Sequence, residues 1–164
     1  MQALTRRPLP LFLFALAAVC PLLLFAVGLA WGGVWAVAGF LYMTVLALML
    51  DQIKGLFMRD APEGAEFPAA DALLIGLASG HLVALPAVVW GVAGASGLGP
   101  WERLALFAGA GLWFGQVSNP MAHELIHRGN RALFRLGQAV YAAFLFGQHA
   151  SAHRLVHHRH VGTA

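Results

Sequence analysis

Apolar residues run along this chain in long blocks separated by short charged stretches. No charged residue lies between Arg7 and Asp51. A single helix over that block would be about 65 Å long, twice a hydrocarbon core of about 30 Å. The block is therefore expected to cross a membrane twice. Its natural break is Gly28 to Gly33, around Trp31, an aromatic suited to the membrane–water boundary. This pattern predicts spans near 9–29 and 34–50. Asp51 to Asp71 then holds seven charged residues together with Pro62, Gly64 and Pro68, which reads as a loop outside the bilayer. The uncharged block from Ala72 to Trp101 predicts a third span near 72–92, closed by a turn over Gly94–Pro100. A fourth span is expected near 104–122, where it meets His123. The following stretch, Ala132 to Gln148, is mostly apolar but contains Arg135. As one helix it would reach about 25 Å, close to a crossing. Arg135 and the arginines at either end oppose one. This stretch is expected to lie along the interface, or to dip in and return.

Composition sharpens the picture. Of 164 residues, 60% are hydrophobic and 10% charged, with a mean hydropathy of +0.73. Ordinary soluble domains carry about 25% charged residues, so a soluble or disordered chain is excluded. The net charge of +3 reflects a shortage of acids. No basic stripe is long enough to follow phosphates, which argues against nucleic-acid binding. Cys20 is the only cysteine and lies in an apolar run, so it forms no intrachain disulfide and reads as a small packing residue. Arg6 and Arg7 before an apolar segment imitate a signal peptide. The run exceeds the usual core of about 7–15 residues and a second span follows directly, so it reads as an uncleaved anchor. With the N-terminus inside, the inner face receives Arg6, Arg7, Lys54, Arg59, Arg128, Arg131, Arg135, Arg154 and Arg159, and the outer face only Arg103. That asymmetry is a strong positive-inside signal. The expectation is an all-α membrane protein forming one domain over 1–164. It has about four transmembrane helices and a cytoplasmic, interfacial histidine-rich region over 119–164.

Seven of the eight histidines lie between His123 and His160. In His123-Glu-Leu-Ile-His127 the two imidazoles are four residues apart, on one face of a helix, and can share a metal ion. Asn119 is placed to cap this helix with Pro120 at its first position; alternatively Pro120 kinks the fourth span. His149, His153 and His157 also step by four. His157 and His158 are adjacent, about 100° apart on a helix, so they suit a site with two metals. Imidazole serves iron, zinc and copper alike. Glu124 is the last acid in the chain, so a carboxylate-rich di-iron site is excluded; any iron here would be held mainly by histidine. Glu124 itself reads as a partner orienting a ligand imidazole or as a base. His81, alone in mid-span, is expected to be neutral and bonded to a neighbouring helix. His149 and His160 read as surface or supporting residues.

Asn119-Pro-Met-Ala-His-Glu-Leu-Ile-His-Arg128 followed by His153-Arg-Leu-Val-His-His-Arg-His-Val-Gly-Thr163 resembles the membrane alkane 1-monooxygenases, relatives of the membrane fatty-acid desaturases and xylene monooxygenases. The match carries over to His123 and His127 in a first histidine box and to His153, His157 and His158 in a second. Arg128, Val161 and Thr163 also fit, and Asp51 matches a family Leu-Asp. Ala152 stands where the family has an acid, Val156 where glycine is common, and Gly162 in place of alanine. The family's later spans and third box would lie beyond Ala164, so the chain is expected to be an N-terminal portion of a longer protein. By itself it is expected to bind iron weakly and to be inactive. The resemblance implies hydroxylation of the terminal carbon of an alkyl chain. It also implies two non-haem irons, O₂, a rubredoxin- or ferredoxin-type electron donor, and a bacterial inner-membrane location with the N-terminus and boxes cytoplasmic.

Three other readings fit parts of the pattern. A desaturase-type di-iron enzyme shares the boxes. An intramembrane zinc protease would use His123 and His127 as ligands and Glu124 to activate water, but gives no reason for His153-x-x-x-His-His158. A metal carrier or bis-histidine haem protein needs facing histidines on different spans, for which His81 is the candidate.

Overall fold

The computed structural model describes residues 9–46, 48, 49, 51, 52 and 69–153. Every regular element among them is helical, and none is a strand. Helix α1 (Leu9–Trp31) and helix α2 (Gly33–Leu41) form a hairpin. Their turn falls where the glycines predict it. Gly32 and Gly33 have φ of 62° and 57°, a region that a side chain disfavours. α2 runs on into a π-helical turn, Tyr42–Leu46. Helix α3 (Ala70–Trp90) continues through a second π-turn, Gly91–Ala95, into the expected loop. Helix α4 (Pro100–Trp113), a third π-turn (Phe114–Ser118) and helix α5 (Asn119–His127) follow one another without a break. Helices α6 (Arg131–Ala143) and α7 (Gln148–Ala152) complete the described chain.

Two helical stretches, Leu11–Trp31 and Ala70–Gly94, are long and apolar enough to cross a membrane. Only 22% of each apolar window is buried. A core helix of a soluble protein would be mostly covered. Here Phe12, Phe14, Leu23 and Val83 face outward. An apolar exterior on this scale marks a surface that meets a membrane or another protein. The interior is equally apolar: Trp113, Leu77, Leu106, Leu125 and Ile126 are fully buried. The Trp113 indole N–H donates to the Ala18 carbonyl at 2.8 Å and ties α4 to α1. The N-terminal helix is thus an integral part of the bundle. Cys20 is only half-buried, less enclosed than its apolar setting predicts.

The sequence left open whether Asn119 caps a new helix or the fourth span runs on. The structure shows the second course. Asn119 is itself helical, and Ser118 before it makes no side-chain cap bond. Pro120 lacks an N–H and crowds the carbonyl four residues earlier, Gln116. The π-turn over Phe114–Ser118 absorbs that mismatch, and the helix continues to His127.

α6 then reverses and packs antiparallel on α5. The close approach requires Gly137, because a Cβ there would lie 2.8 Å from Leu125 Cβ and 2.9 Å from the Ala122 carbonyl oxygen. Asn130 caps α6 by accepting the Ala132 and Leu133 N–H groups. α6 ends beside His81, whose ring centroid lies 4.6 Å from that of Phe144. The chain turns at once into α7. The segment from Ala132 to Gln148 is therefore most of α6 followed by a sharp turn that leads into α7.

Candidate metal centre

α5 carries His123 and His127 one turn apart on the same face, as the spacing requires. α7 leads directly into His153, and the hairpin formed with α6 brings it back to α5. His153 Nε2 lies 2.9 Å from His123 Nε2 and 3.0 Å from His127 Nε2. The ligating atoms of all three residues fall within 4.8 Å of one another. The rings cross at 60°, 70° and 86°, so their nitrogens converge while their planes splay apart.

An imidazole Nε2 offers either one hydrogen or one lone pair. His153 cannot satisfy two nitrogens at hydrogen-bonding distance with that single position. A cation accepts all three lone pairs. With metal–nitrogen bonds of about 2.1 Å, neighbouring ligands stand about 3.0 Å apart at right angles and about 3.4 Å apart in a tetrahedron. The two separations from His153 match ligands at right angles. His123 and His153 are half-buried and His127 is exposed, so one side of the centre is open. His157 and His158, with Val161 and Thr163, lie outside the described residues, as does His160.

Glu124 points to the exposed side of α5. Its carboxylate lies 3.3 Å from Arg128 Nη2, and Arg128 Nε lies 3.1 Å from Asp71 at the start of α3. Arg128 therefore links the end of α5 to the start of α3. This partly exposed pair is worth about 0–1 kcal/mol. Glu124 pairs with that arginine one turn on, along the exposed face of the same helix.

His149, read from sequence as a surface or supporting residue, stacks on Phe146 (ring centroids 4.9 Å, 18°) and on His153 (5.3 Å, 29°), and so supports the His153 ring. One part of the site was not singled out from sequence. Ser118 is fully buried and bonds His81 Nδ1 through its hydroxyl at 2.7 Å. The expectation that His81 pairs with a neighbouring helix is met, and the partner sits five residues before His123. Two polar residues at matching depth in adjacent apolar segments were the signal there. Asp51 is described but exposed, ten residues beyond the end of α2, and is not among the residues that converge on the centre.

Comparisons with known protein families, with curated proteins and with solved structures find no match for this chain.

Proposed function

We propose that this chain forms part of a membrane non-haem iron oxygenase that hydroxylates the terminal carbon of an alkane or similar alkyl chain. The reading rests above all on one observation: His153 of the second box meets His123 and His127 of the first at 2.9 and 3.0 Å. A bound iron pair would supply O₂ activation, with electrons from a rubredoxin- or ferredoxin-type donor. His123, His127 and His153 would hold one metal with an open face. His157 and His158 would contribute to the second. His149 holds the His153 ring by stacking. Arg128 links α5 to α3 through Asp71. The apolar exterior supports a bilayer setting; of the four crossings proposed, Leu11–Trp31 and Ala70–Gly94 have the length, the second would run from α2 on to about residue 50, and the fourth would join α4 to α5. The nine-to-one lysine and arginine count supports a cytoplasmic N-terminus and cytoplasmic boxes in an inner membrane. An apolar substrate would then arrive through lipid, while electrons arrive from the aqueous side.

Metal analysis of the protein purified from membranes tests this reading. Iron taken up when it is added to the parent chain, and weakened or lost in His123→Ala and His153→Ala, is the expected result. Stoichiometric zinc in place of iron would favour the protease reading, and haem absorbance the carrier. Conversion of an alkane to its primary alcohol, with donor and O₂, tests the activity in a form of the protein that includes any further histidine box.

A further inference from the structure

The turn between α6 and α7 carries an unusual residue choice. α6 ends with the Phe146 N–H donating to the Tyr141 carbonyl at 2.8 Å and the Leu145 N–H to the Ala142 carbonyl at 2.9 Å. This closure places one residue in the left-handed region, normally a glycine. Here it is Leu145, with φ of 60°. The strain of a side chain at that position is not repaid inside the chain, because Leu145 is 91% exposed. Phe146 beside it is 45% exposed.

The turn lies level with the middle of the bundle. Phe144 touches His81, which stands about 15 Å from the start of α3, halfway along a helix of about 30 Å. At that depth, backbone that faces hydrocarbon must satisfy its own peptide groups. Within the turn the Phe144, Leu145, Phe146 and His149 N–H groups donate to carbonyls between Val140 and Phe146. Beneath it a cavity of about 320 Å³ is lined by Asn119, Pro120, His123, Tyr141, Phe146 and His149. One wall is therefore a ring of the metal centre, and another is the half-exposed ring at the turn.

We propose that the Leu145–Phe146 turn faces the acyl chains of the bilayer, and that the cavity beneath it is a lateral portal. Through it a long-chain apolar ligand passes from lipid to the His123–His127–His153 centre. The portal rests on the metal reading above; the placement of the turn does not. Lipid is the occupant that an apolar, uncharged tip at mid-depth fits.

Two measurements test this. The first attaches a nitroxide at Leu145→Cys in a Cys20→Ala background, in phosphatidylcholine vesicles. Relaxation by O₂ should be strong and by a water-soluble nickel chelate weak. Strong relaxation by the chelate, or closure to both reagents by a covering protein surface, overturns the proposal. The second loads the chain with Co²⁺ and titrates imidazole and 1-decylimidazole against the visible spectrum. Phe146→Trp, which narrows the mouth, should weaken 1-decylimidazole about tenfold and imidazole less than about twofold. Phe146→Ala opens the mouth and removes the ring stacked on His149, so any loss it brings should fall on both ligands alike. For Phe146→Trp, equal effects on both ligands, or none, overturn the portal. Absence of Co²⁺ uptake by the parent chain overturns the metal reading and the portal together, while the nitroxide still decides where the turn lies.

Discussion

Single atoms set the chemistry of this site. His153 Nε2 stands between two other imidazole nitrogens and can bond only one of them as donor or acceptor, an arrangement that could hold a cation. His153→Ala should therefore lower Co²⁺ affinity by more than the roughly 10–100-fold typical of losing an outer partner. Spectroscopic titration of the two chains measures this, and equal affinities would remove His153 from the ligand set. A second residue-scale contact lies deeper. The Ser118 hydroxyl is bonded to His81, and the other His81 ring nitrogen is buried without a partner among the described residues. Ser118→Ala leaves both ring nitrogens without a side-chain partner and should cost about 1–3 kcal/mol. Thermal unfolding in detergent reads this loss. His81→Leu combined with Ser118→Ala should cost less than the sum of the two single changes, because the pair is removed together.

At the scale of elements, the site depends on how closely α6 approaches α5. Gly137→Ala adds a methyl group directly against Leu125 and the Ala122 carbonyl. Overpacking of this kind costs about 1–3 kcal/mol. The added methyl should also push His153 away from His123, so metal affinity should fall along with stability. At the opposite end, Glu102 ties two turns together. Its carboxylate accepts the Gly99 N–H at the start of α4 and the Gly33 N–H between α1 and α2. Those bonds, the Gly99 bond first, hold its pKa below the ordinary glutamate range. The carboxylate binds protons less readily in the folded chain than in the unfolded one. Its contribution is therefore complete above the ordinary range and is lost as pH falls through the lower, folded-state value. Glu102→Gln should flatten the loss of stability under acid, which unfolding curves across the acidic range would show. An unchanged profile would mean that these bonds do not hold the turn.

For the whole molecule, the arrangement of charge and apolar surface gives a topology that labelling can test. Gly97 lies in the turn at one end of α3, and Asn130 follows the metal-bearing helix at the other. In sealed vesicles of uniform orientation, Gly97→Cys and Asn130→Cys, each in a Cys20→Ala background, should react with an impermeant thiol reagent from opposite sides. Reaction from the same side would contradict the four-crossing arrangement. Much of this level could be read from sequence. The hairpin at Gly28–Gly33, the turn over Gly94–Pro100 and the helix bearing His123 and His127 follow from charge gaps, glycines and a four-residue period. Those signals are local, so the chain displays them in order. The fate of Asn119 and Pro120 was harder to read, because proline before a helix and proline within one leave the same local pattern.

The amino-acid sequence by itself determined that the chain is helical, apolar enough for a bilayer, and equipped with paired imidazoles at one-turn spacing. Each of these follows from composition and short-range period. Only the tertiary structure decided that His153 joins His123 and His127, that His81 bonds Ser118, and that Leu145 stands exposed in a left-handed turn. These facts depend on the reversal of α6 against α5, which Gly137 permits and the turn at Leu145 completes. Close approach between segments distant in sequence leaves no period in either one, so packing alone could reveal it.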